Sequence, residues 1–481
     1  MNKSFKYLPP NERKKILLIC DDIRVTSGVA TVGKEIVLHT AQHFNWVQIG
    51  GTINHPEKGK KLELSQDTNK RTGLEDSSVI LYPTSGYGDM NLLRKIIQTD
   101  KPDALMLITD PRYFAWLFNA ESEIRKNIPI IYLNIWDDYP APLYNKAFYE
   151  SCDALLGISK QTVNINKIVL GEKAENKVIK YLPHGLNHNI YRPLETTEEL
   201  DAMEKMKFDL FGDDEVDFVL FYNSRNIRRK QIPDTMWAFK MFLDSLPKEK
   251  ADKCRLLMHT EIVHQVGTDL EAVRELLFEE KYPKAIVFDT KKWDVEELNL
   301  LYNIADCQIL LTSNEGWGLT LTEAILSGTP VIANTTGGMQ DQMRFEDENG
   351  EWFTPSPEVP SNNTGKYKKH GEWAFPVYPT SRSIQGSPVT PYIWDDRCKA
   401  EDATDRIKEV YNLSDKKRKE LGLKGREWVI SDEAGFTAEH QGKRFIEFVD
   451  ELFNTWEPRE AFEVIDTDND DKKIQTHNLV Y

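Results

Sequence analysis

The chain has 481 residues, 40% hydrophobic and 29% charged, and so exceeds what one hydrophobic core usually organises. A formal net charge of -16 opposes broad electrostatic binding to nucleic acid or anionic lipid, although a local basic patch could override the mean. Without a run of about 18 apolar residues or a secretion signal, the sequence predicts a soluble, cytoplasmic protein of two domains.

Cysteine usage predicts the same compartment. Cys20, Cys152, Cys254 and Cys307 each lie in or beside an apolar, strand-like run, where a buried thiol packs as a small hydrophobe. The total of five cysteines is odd, which does not suit a disulfide framework. We therefore expect reduced thiols in a reducing compartment.

Short apolar runs alternate with longer amphipathic stretches, which predicts α/β domains built on parallel sheets. The first series lies at 16–20, 78–82, 104–108, 128–133 and 154–158, and the second at 218–222, 255–259, 285–288, 308–312 and 330–333. We predict a first Rossmann-like domain over 1–192, a linker at 193–216 with a helix near 195–210, and a second domain over 217–430.

The end of the chain is less regular. Residues 351–391 are rich in proline, glycine, serine and aromatic residues and show neither period, so we predict a long insertion that is functional or disordered. Helical periodicity returns from 400 to 453, and 431–481 is predicted to hold returning helices and an acidic tail. The aspartates within 466–471 have the spacing found at the start of an EF-hand calcium loop. Asp471 stands where that loop needs glycine, so no calcium site is predicted.

The stretch 314–338, NEGWGLTLTEAILSGTPVIANTTGG, carries the clearest chemistry. A strand ends before it, a glycine-bearing turn follows, and a helix begins near Leu319. The amides of Gly316, Trp317, Gly318 and Leu319 should be unpaired and available to a phosphate or a sugar hydroxyl. Glu315 and Glu323 should both lie on the side that faces the turn, where carboxylates can accept hydrogen bonds from sugar hydroxyls.

This Glu-x7-Glu pair, with its apolar helix, SGTPVI strand entry and Gly-Gly turn, resembles the retaining GT-B glycosyltransferases related to glycogen synthase, the glycosyl transferases group 1 family. The resemblance covers roughly 14–430 and is strongest over 218–338. It implies two facing Rossmann-like domains with the active site in the cleft between them. By that resemblance Glu323 binds the donor ribose, Glu315 approaches the transferred sugar, and the 316–319 amides bind the donor.

Two further segments match the family in order along the chain. NSRNIRRKQ places Arg225 and Lys230 at the family's Arg-x4-Lys pair, which binds the donor diphosphate. Arg228 and Arg229 are predicted to be a solvated basic turn. ICDDIRVTSGVATVGKEI resembles the family's glycine loop, which places Gly28 near the donor phosphates. Because no G-x-G-x-x-G follows the first strand, a nicotinamide or flavin dehydrogenase loses its main support.

The segment PIIYLNIWDDYPAP, 129–142, resembles the strand and loop in which the family often carries a histidine and an aspartate near the reacting sugar. Trp136 and Asp137 occupy those places here. Asp137, as a catalytic residue, or Asp138, as an acceptor contact, is a candidate, and a structural role for both is an equal alternative. His184 is predicted to be a turn residue rather than a base.

The sequence does not identify the acceptor. Basic and aromatic residues interleave within the predicted insertion, and Lys366, Lys368 and Trp373 are candidates for acceptor contacts. Such a surface would suit a modified nucleic acid as acceptor, alongside a saccharide or small metabolite. The alternative is a solvated insertion whose aromatic residues pack against their own domain, in which case the acceptor site lies in the first domain.

The resemblance implies a nucleotide-sugar donor such as a UDP-sugar, with no metal and no other cofactor. The alternatives are a sugar-nucleotide epimerase or phosphorylase-like enzyme, and a non-catalytic module that binds a nucleotide sugar.

Overall fold

The computed structural model describes residues 7–212, 214–356 and 365–460. An eight-stranded sheet forms the first half, in the order β3-β4-β2-β1-β5-β6-β7-β8, and is parallel except for β3. Its strands are β1 (Lys14–Asp21), β2 (Phe44–Thr52), β3 (Leu62–Glu63), β4 (Val79–Ser85), β5 (Ala104–Ile108), β6 (Ile130–Asn134), β7 (Ala154–Gly157) and β8 (Val178–Tyr181). Its helices are α1 (Gly28–Thr40), α2 (Ser65–Thr72), α3 (Met90–Asp100), α4 (Ala115–Phe118), α5 (Glu121–Ile124), α6 (Lys146–Glu150) and α7 (Lys160–Leu170).

The continuous apolar runs of the sequence explain this sheet. In β1, Ile16 and Leu18 contribute to one hydrophobic core, whereas Leu17 and Ile19 contribute to another. All four side chains are fully buried. A parallel sheet has helices on both faces, so its strands are apolar on both sides rather than alternating.

A second, fully parallel sheet has the order β11-β10-β9-β12-β13-β14. Its strands are β9 (Phe218–Asn223), β10 (Cys254–His259), β11 (Ile286–Asp289), β12 (Cys307–Leu310), β13 (Val331–Asn334) and β14 (Ala374–Val377). The helices of this half are α8 (Thr197–Phe211), α9 (Ile232–Asp244), α10 (Lys248–Ala251), α11 (Leu270–Phe278), α12 (Val295–Ile304), α13 (Leu319–Leu326), α14 (Met339–Gln342), α15 (Ala400–Tyr411), α16 (Asp415–Val429) and α17 (Ala438–Thr455). The predicted α/β class with two parallel sheets is confirmed, while the predicted domain boundaries stay a prediction.

The last helix returns to the first sheet. On α17, Phe445 stacks on Trp46 with 5.8 Å between ring centroids and meets Phe44 edge-on. A Cβ atom on Gly442 would lie 2.8 Å from the backbone oxygen of His39, so the two helices α1 and α17 can approach only because this residue is glycine. This contact ties the end of the described chain to its beginning.

The predicted insertion 351–391 is not a loop throughout, which corrects the sequence prediction. Strand β14 belongs to the second sheet, and β15 (Ser381–Ser387) pairs antiparallel with β16 (Thr390–Arg397) in a hairpin. The sequence did not predict β14, because the strand has only four residues and contains Pro376. Proline is tolerated in an edge strand such as this one but not in a central strand. Residues 357–364 of the insertion and the acidic tail lie outside the described residues.

None of the five cysteines forms a disulfide, and four are buried. Among the described helices, none is both long enough and apolar enough to span a membrane.

Candidate active site

The carboxyl ends of the two sheets face each other, and a helix begins on each side of the space between them. α1 begins at Gly28 in the first domain and α13 begins at Leu319 in the second. A Cβ atom on Gly28 would lie 3.4 Å from Leu319 Cδ1. Amides in the first turn of a helix lack intrahelical partners and attract anions. The glycine loop and the donor loop predicted from the sequence therefore meet in one cleft.

Two glycines of the donor loop are required by geometry. Gly318, which precedes α13, has φ of +85°, a left-handed conformation that side chains disfavour. A Cβ atom on Gly316 would lie 2.7 Å from the backbone oxygen of Ile135, which belongs to the first domain. The loop can therefore approach the opposite wall of the cleft only with glycine at this position.

Glu315 is held by two cations. Its Oε2 accepts a hydrogen bond from Lys230 Nζ and another, of 3.0 Å, from Arg229 Nη1. Burial would raise the pKa of Glu315, but the charges of Arg229 and Lys230 outweigh burial and lower the pKa to about 2. The structure thus brings the predicted pair Glu315 and Lys230 together, with an ionised carboxylate between the two sheets.

Arg229 corrects the sequence prediction, which assigned it to solvent. Its Nη1 also donates to the backbone oxygen of Asn314 at 2.6 Å, and its Nε lies 3.8 Å from Asp137 Oδ2. Arg225 and Arg228 are exposed, and the Arg225 side chain makes no hydrogen bond or ion pair with the described residues. Arg229 was missed because a 3-10 turn, Arg228–Lys230, sets its direction, and such a short turn leaves no periodic signal.

Asp137 joins the two domains. Its Oδ1 accepts a hydrogen bond of 3.0 Å from the Gly316 amide, one of the donors predicted to bind the ligand. Burial raises the pKa of Asp137, and the neighbouring charge of Glu315 raises it further against the opposing effect of Arg229. The first domain therefore contributes this carboxyl group directly to the charged cluster of the second.

Asp138 points elsewhere, which corrects its predicted acceptor contact. The residue is 0% exposed, and its Oδ1 accepts from the Tyr139 amide at 2.7 Å and from Gln161 Nε2 at 2.9 Å. Burial, followed by the nearby Asp396, raises its pKa well above the ordinary value. Asp138 therefore belongs to an internal network rather than to a surface that an acceptor could reach.

Glu323 lies one turn into α13 and is buried. Its Oε2 accepts a hydrogen bond from the Tyr302 hydroxyl, which in turn accepts one of 2.9 Å from Asn223 Nδ2. Burial is the largest influence on its pKa and raises it. Glu323 is thus fixed by side chains from α12 and β9 in the second domain, the side on which the resemblance places the donor ribose.

The side chains of Trp317 and His184 are buried and serve in packing. The Trp317 ring is 2% exposed, meets Phe436 edge-on at 4.8 Å, and donates from Nε1 to Thr322 Oγ1 at 3.0 Å. Only the backbone of Trp317 can therefore serve a ligand. Burial lowers the pKa of His184 to about 3, so its ring is neutral.

The predicted acceptor residues of the insertion do not join this cluster. Trp373 is 5% exposed, stacks on Trp428 and donates to the backbone oxygen of Gln342, so the prediction that its ring meets an acceptor is wrong. Lys369 pairs with Glu346, and Lys366 lies over the Tyr367 ring. The acceptor role predicted for Lys366 and Lys368 stays a prediction.

The hairpin β15–β16, which sequence patterns did not predict, bridges the cleft. Asp395 Oδ1 accepts hydrogen bonds from Ser313 Oγ and Asn314 Nδ2, both next to Glu315. On the opposite side, the Trp394 amide donates to the Tyr139 backbone oxygen at 2.7 Å, and the Tyr144 hydroxyl donates to the backbone oxygen of Tyr392 at 3.0 Å. The hairpin therefore contacts both domains beside the charged cluster.

Within the described residues, no three His, Cys, Asp or Glu side chains are grouped so that they could hold a metal ion.

Residues 213–360 match the model of the family described as glycosyl transferases group 1. The matched range contains Arg225, Arg229, Lys230, Glu315 and Glu323. Comparison with curated protein sequences gives no match.

Three solved structures show the same fold at low sequence identity. A glycosyltransferase from Rickettsia africae ESF-5 has a TM-score of 0.61 and 15% identity, with 92% of this chain and 99% of that chain covered. Sucrose-phosphate synthase from Thermosynechococcus elongatus has a TM-score of 0.62 and 16% identity, with 92% and 100% covered. Anabaena HepE in complex with UDP and glucose has a TM-score of 0.60 and 13% identity, again with 92% and 100% covered.

Over residues 213–360 the chain therefore matches the glycosyl transferases group 1 family, and its fold is that of the GT-B glycosyltransferases.

Proposed function

We propose that the protein is a retaining glycosyltransferase that transfers a sugar from a nucleotide-diphosphate donor. The observation that carries the proposal is the ionised Glu315, held by Lys230 and Arg229 in the cleft where α1 and α13 begin. Cations and unpaired amides at one point suit a diphosphate, and a carboxylate beside them suits sugar hydroxyls.

The donor would lie along α13. Its diphosphate would lie beside the start of α13, next to the Gly28 loop and within reach of Lys230, and the exposed Arg225 would close on it from the rim. Glu323, fixed by Tyr302, would accept hydrogen bonds from the ribose hydroxyls. In this arrangement the sugar displaces Asp137 from the Gly316 amide, which frees that donor for a sugar hydroxyl.

The reaction is a substitution at the anomeric carbon. The acceptor oxygen forms its bond on the face from which the nucleotide diphosphate leaves, and a phosphate oxygen of the leaving group takes the acceptor proton. The chain contributes position and charge, because Lys230 and the helix amides stabilise the negative charge that develops on the diphosphate. We propose that no metal ion or other cofactor is required.

A UDP-sugar is the proposed donor. Anabaena HepE, crystallised in complex with UDP and glucose, shares the fold over 92% of this chain, and the same fold supports the same class of donor here.

Hydrolysis of UDP-glucose tests the proposal without knowledge of the acceptor, since water can replace it. We expect slow UDP release with α-glucose as the first product detected by proton NMR, insensitive to EDTA. Glu323→Gln should weaken UDP binding, whereas Glu296→Gln, an exposed carboxylate on the neighbouring α12, should not. β-Glucose as first product would contradict retention, an isomerised nucleotide sugar would identify an epimerase, and binding without UDP release would identify a binding module.

A further inference from the structure

Two arginines on the cleft wall of the first domain are each paired with an aspartate of their own loop. β1 and β5 are neighbouring parallel strands, and an Asp-x-Arg sequence follows each of them. Arg24 Nη2 donates to Asp22 Oδ2 at 2.7 Å, and Arg112 Nε donates to Asp110 Oδ1 at 2.7 Å. Both pairs are bidentate, because Arg24 Nε and Arg112 Nη2 bind the same carboxylates.

The remaining arms of the two guanidinium groups are also occupied. Arg24 Nη1 lies 2.9 Å from Glu57 Oε2. Arg112 Nη1 donates to the Val389 backbone oxygen and to Thr390 Oγ1, both at the tip of the hairpin. An anion that approached this wall would therefore have to displace a carboxylate that is already in place.

The two carboxylates that hold Arg24, those of Asp22 and Glu57, are charged at neutral pH. Burial alone would raise the pKa of Asp22, but its hydrogen bonds with Arg24 and His55 outweigh burial and lower the pKa. The hydrogen bond from Arg24 likewise lowers the pKa of Glu57. The arginines are thus neutralised by their own loops, and the wall offers an incoming phosphate no free positive charge from either residue.

The same wall presents groups that suit hydroxyls. Asp21 accepts a hydrogen bond of 2.7 Å from the Tyr87 hydroxyl and another from Ser27 Oγ, just before Gly28. The Tyr113 ring, 60% exposed, lies 5.4 Å from the Tyr87 ring. Carboxylate oxygens accept from sugar hydroxyls, and an exposed ring offers an apolar face to a sugar.

We infer that the first domain takes an uncharged, hydroxyl-rich acceptor and excludes one that carries phosphate at this wall. The inference rests on the proposed function, and it places the acceptor between this wall and the donor. The two Asp-x-Arg pairs are the observation behind this inference, because each neutralises an arginine that would otherwise bind phosphate.

Titration of glucose 6-phosphate and glucose into the UDP-saturated protein tests the inference. We expect the wild type to bind glucose 6-phosphate no more tightly than glucose. Asp110→Asn releases Arg112 from its carboxylate, and the Asn side chain can still cap the turn at the Arg112 amide. This variant should bind glucose 6-phosphate at least about tenfold more tightly than the wild type, since a charge-assisted hydrogen bond contributes that much.

Asp103→Asn is the matched control, because Asp103 pairs with Lys14 at the opposite end of the same two strands and should create no phosphate site. A wild type that prefers glucose 6-phosphate, or an Asp110→Asn variant that gains no affinity for it, would overturn the inference. Failure to bind UDP would instead remove the proposed function. In that case the comparison of wild type and variant with inorganic phosphate still tests the neutralised wall.

Discussion

Burial and charge act against each other on the carboxyl groups of the cleft, and the balance differs from residue to residue. Glu315 has two cations within hydrogen-bond distance, so charge dominates and its pKa is low. Asp137 lies farther from a cation, with Arg229 Nε 3.8 Å from its Oδ2, and it faces Glu315, so burial dominates and its pKa is raised. One carboxylate therefore stays ionised in the same cluster where the other takes up a proton more readily.

The role of Arg229 can be measured through the pH dependence of UDP-glucose hydrolysis. The pKa of Glu315 is lowered to about 2 in the wild type, so Glu315 is ionised at neutral and mildly acidic pH. Arg229→Gln removes one of the two cations and should raise this pKa towards the ordinary value of about 4.3. The rate of the variant should therefore fall as pH drops below about 5, where the wild type still works.

Arg228→Gln is the control for this experiment, since Arg228 is the exposed neighbour in the same turn. Identical acid limbs for wild type and Arg229→Gln would show that Arg229 does not maintain the charge of Glu315.

Arg225 and Arg228 offer a second matched pair. Both side chains are exposed, so neither replacement should disturb the fold. If Arg225 closes on the donor diphosphate, Arg225→Ala should weaken UDP binding by roughly 1.5 to 3 kcal/mol, and Arg228→Ala should leave it unchanged. Calorimetric titration of UDP measures both, and equal dissociation constants for the two variants would remove Arg225 from the donor site.

At the scale of elements, the strands that are apolar on both faces were predictable, and the elements that polar or irregular residues build were not. β1 can be predicted from the apolar run Ile16–Cys20, which is continuous because both faces of the strand are buried. β16 has mostly half-buried or exposed residues and begins Thr-Pro, so it carries no such pattern. Its position depends on hydrogen bonds made by Asp395 and Tyr392 with residues distant in the chain, and one sequence does not reveal them.

The residues of the candidate site likewise fall into those that a local motif predicts and those that no local pattern predicts. Local motifs predict Glu315, Glu323 and Lys230 as site residues, since the motif itself sets their positions along a loop and a helix. Arg229 and the hairpin were missed, because their contacts with Asp137 and Tyr144 cross from one domain to the other.

The attachment of α17 to α1 gives a prediction at this scale. Phe445 of α17 is fully buried and packs on Phe44 and Trp46 of β2, next to the contact between the two helices. Phe445→Ala should lower the free energy of unfolding by roughly 3 to 5 kcal/mol, because a buried ring is replaced by a cavity. Phe448→Ala, on the same helix but only half-buried, should cost less. Urea denaturation followed by tryptophan fluorescence measures both, and equal losses would contradict the central packing role of Phe445.

At the scale of the whole molecule, the two domains already touch beside the cleft at several points. Asp137 binds the Gly316 amide, the hairpin reaches Tyr139, and the Lys160 amide donates to Asp341 Oδ2 at 2.9 Å. Closure of this kind excludes water from a reacting centre and assembles groups from both domains. The described conformation is therefore the closed one, and its population should depend on the contacts that cross between the domains.

Lys160 provides the test of that dependence. Its Nζ lies 3.5 Å from the centre of the Trp352 ring and donates to Thr354 Oγ1 at 3.1 Å, so the first domain places a cation on an aromatic face of the second. A cation–π contact of this kind, shielded from solvent, contributes roughly 2 kcal/mol. Lys160→Ala should shift the equilibrium towards an open form by about that amount, because the contact exists only when the domains are together.

The radius of gyration of the ligand-free variant from X-ray scattering should exceed that of the wild type, and saturating UDP should restore it. The dissociation constant for UDP should rise by up to about thirtyfold, since binding must then also close the domains. Lys167→Ala, an exposed position on the same helix α7, should change neither quantity. If the Lys160 variant scatters like the wild type and binds UDP equally well, closure does not depend on this contact.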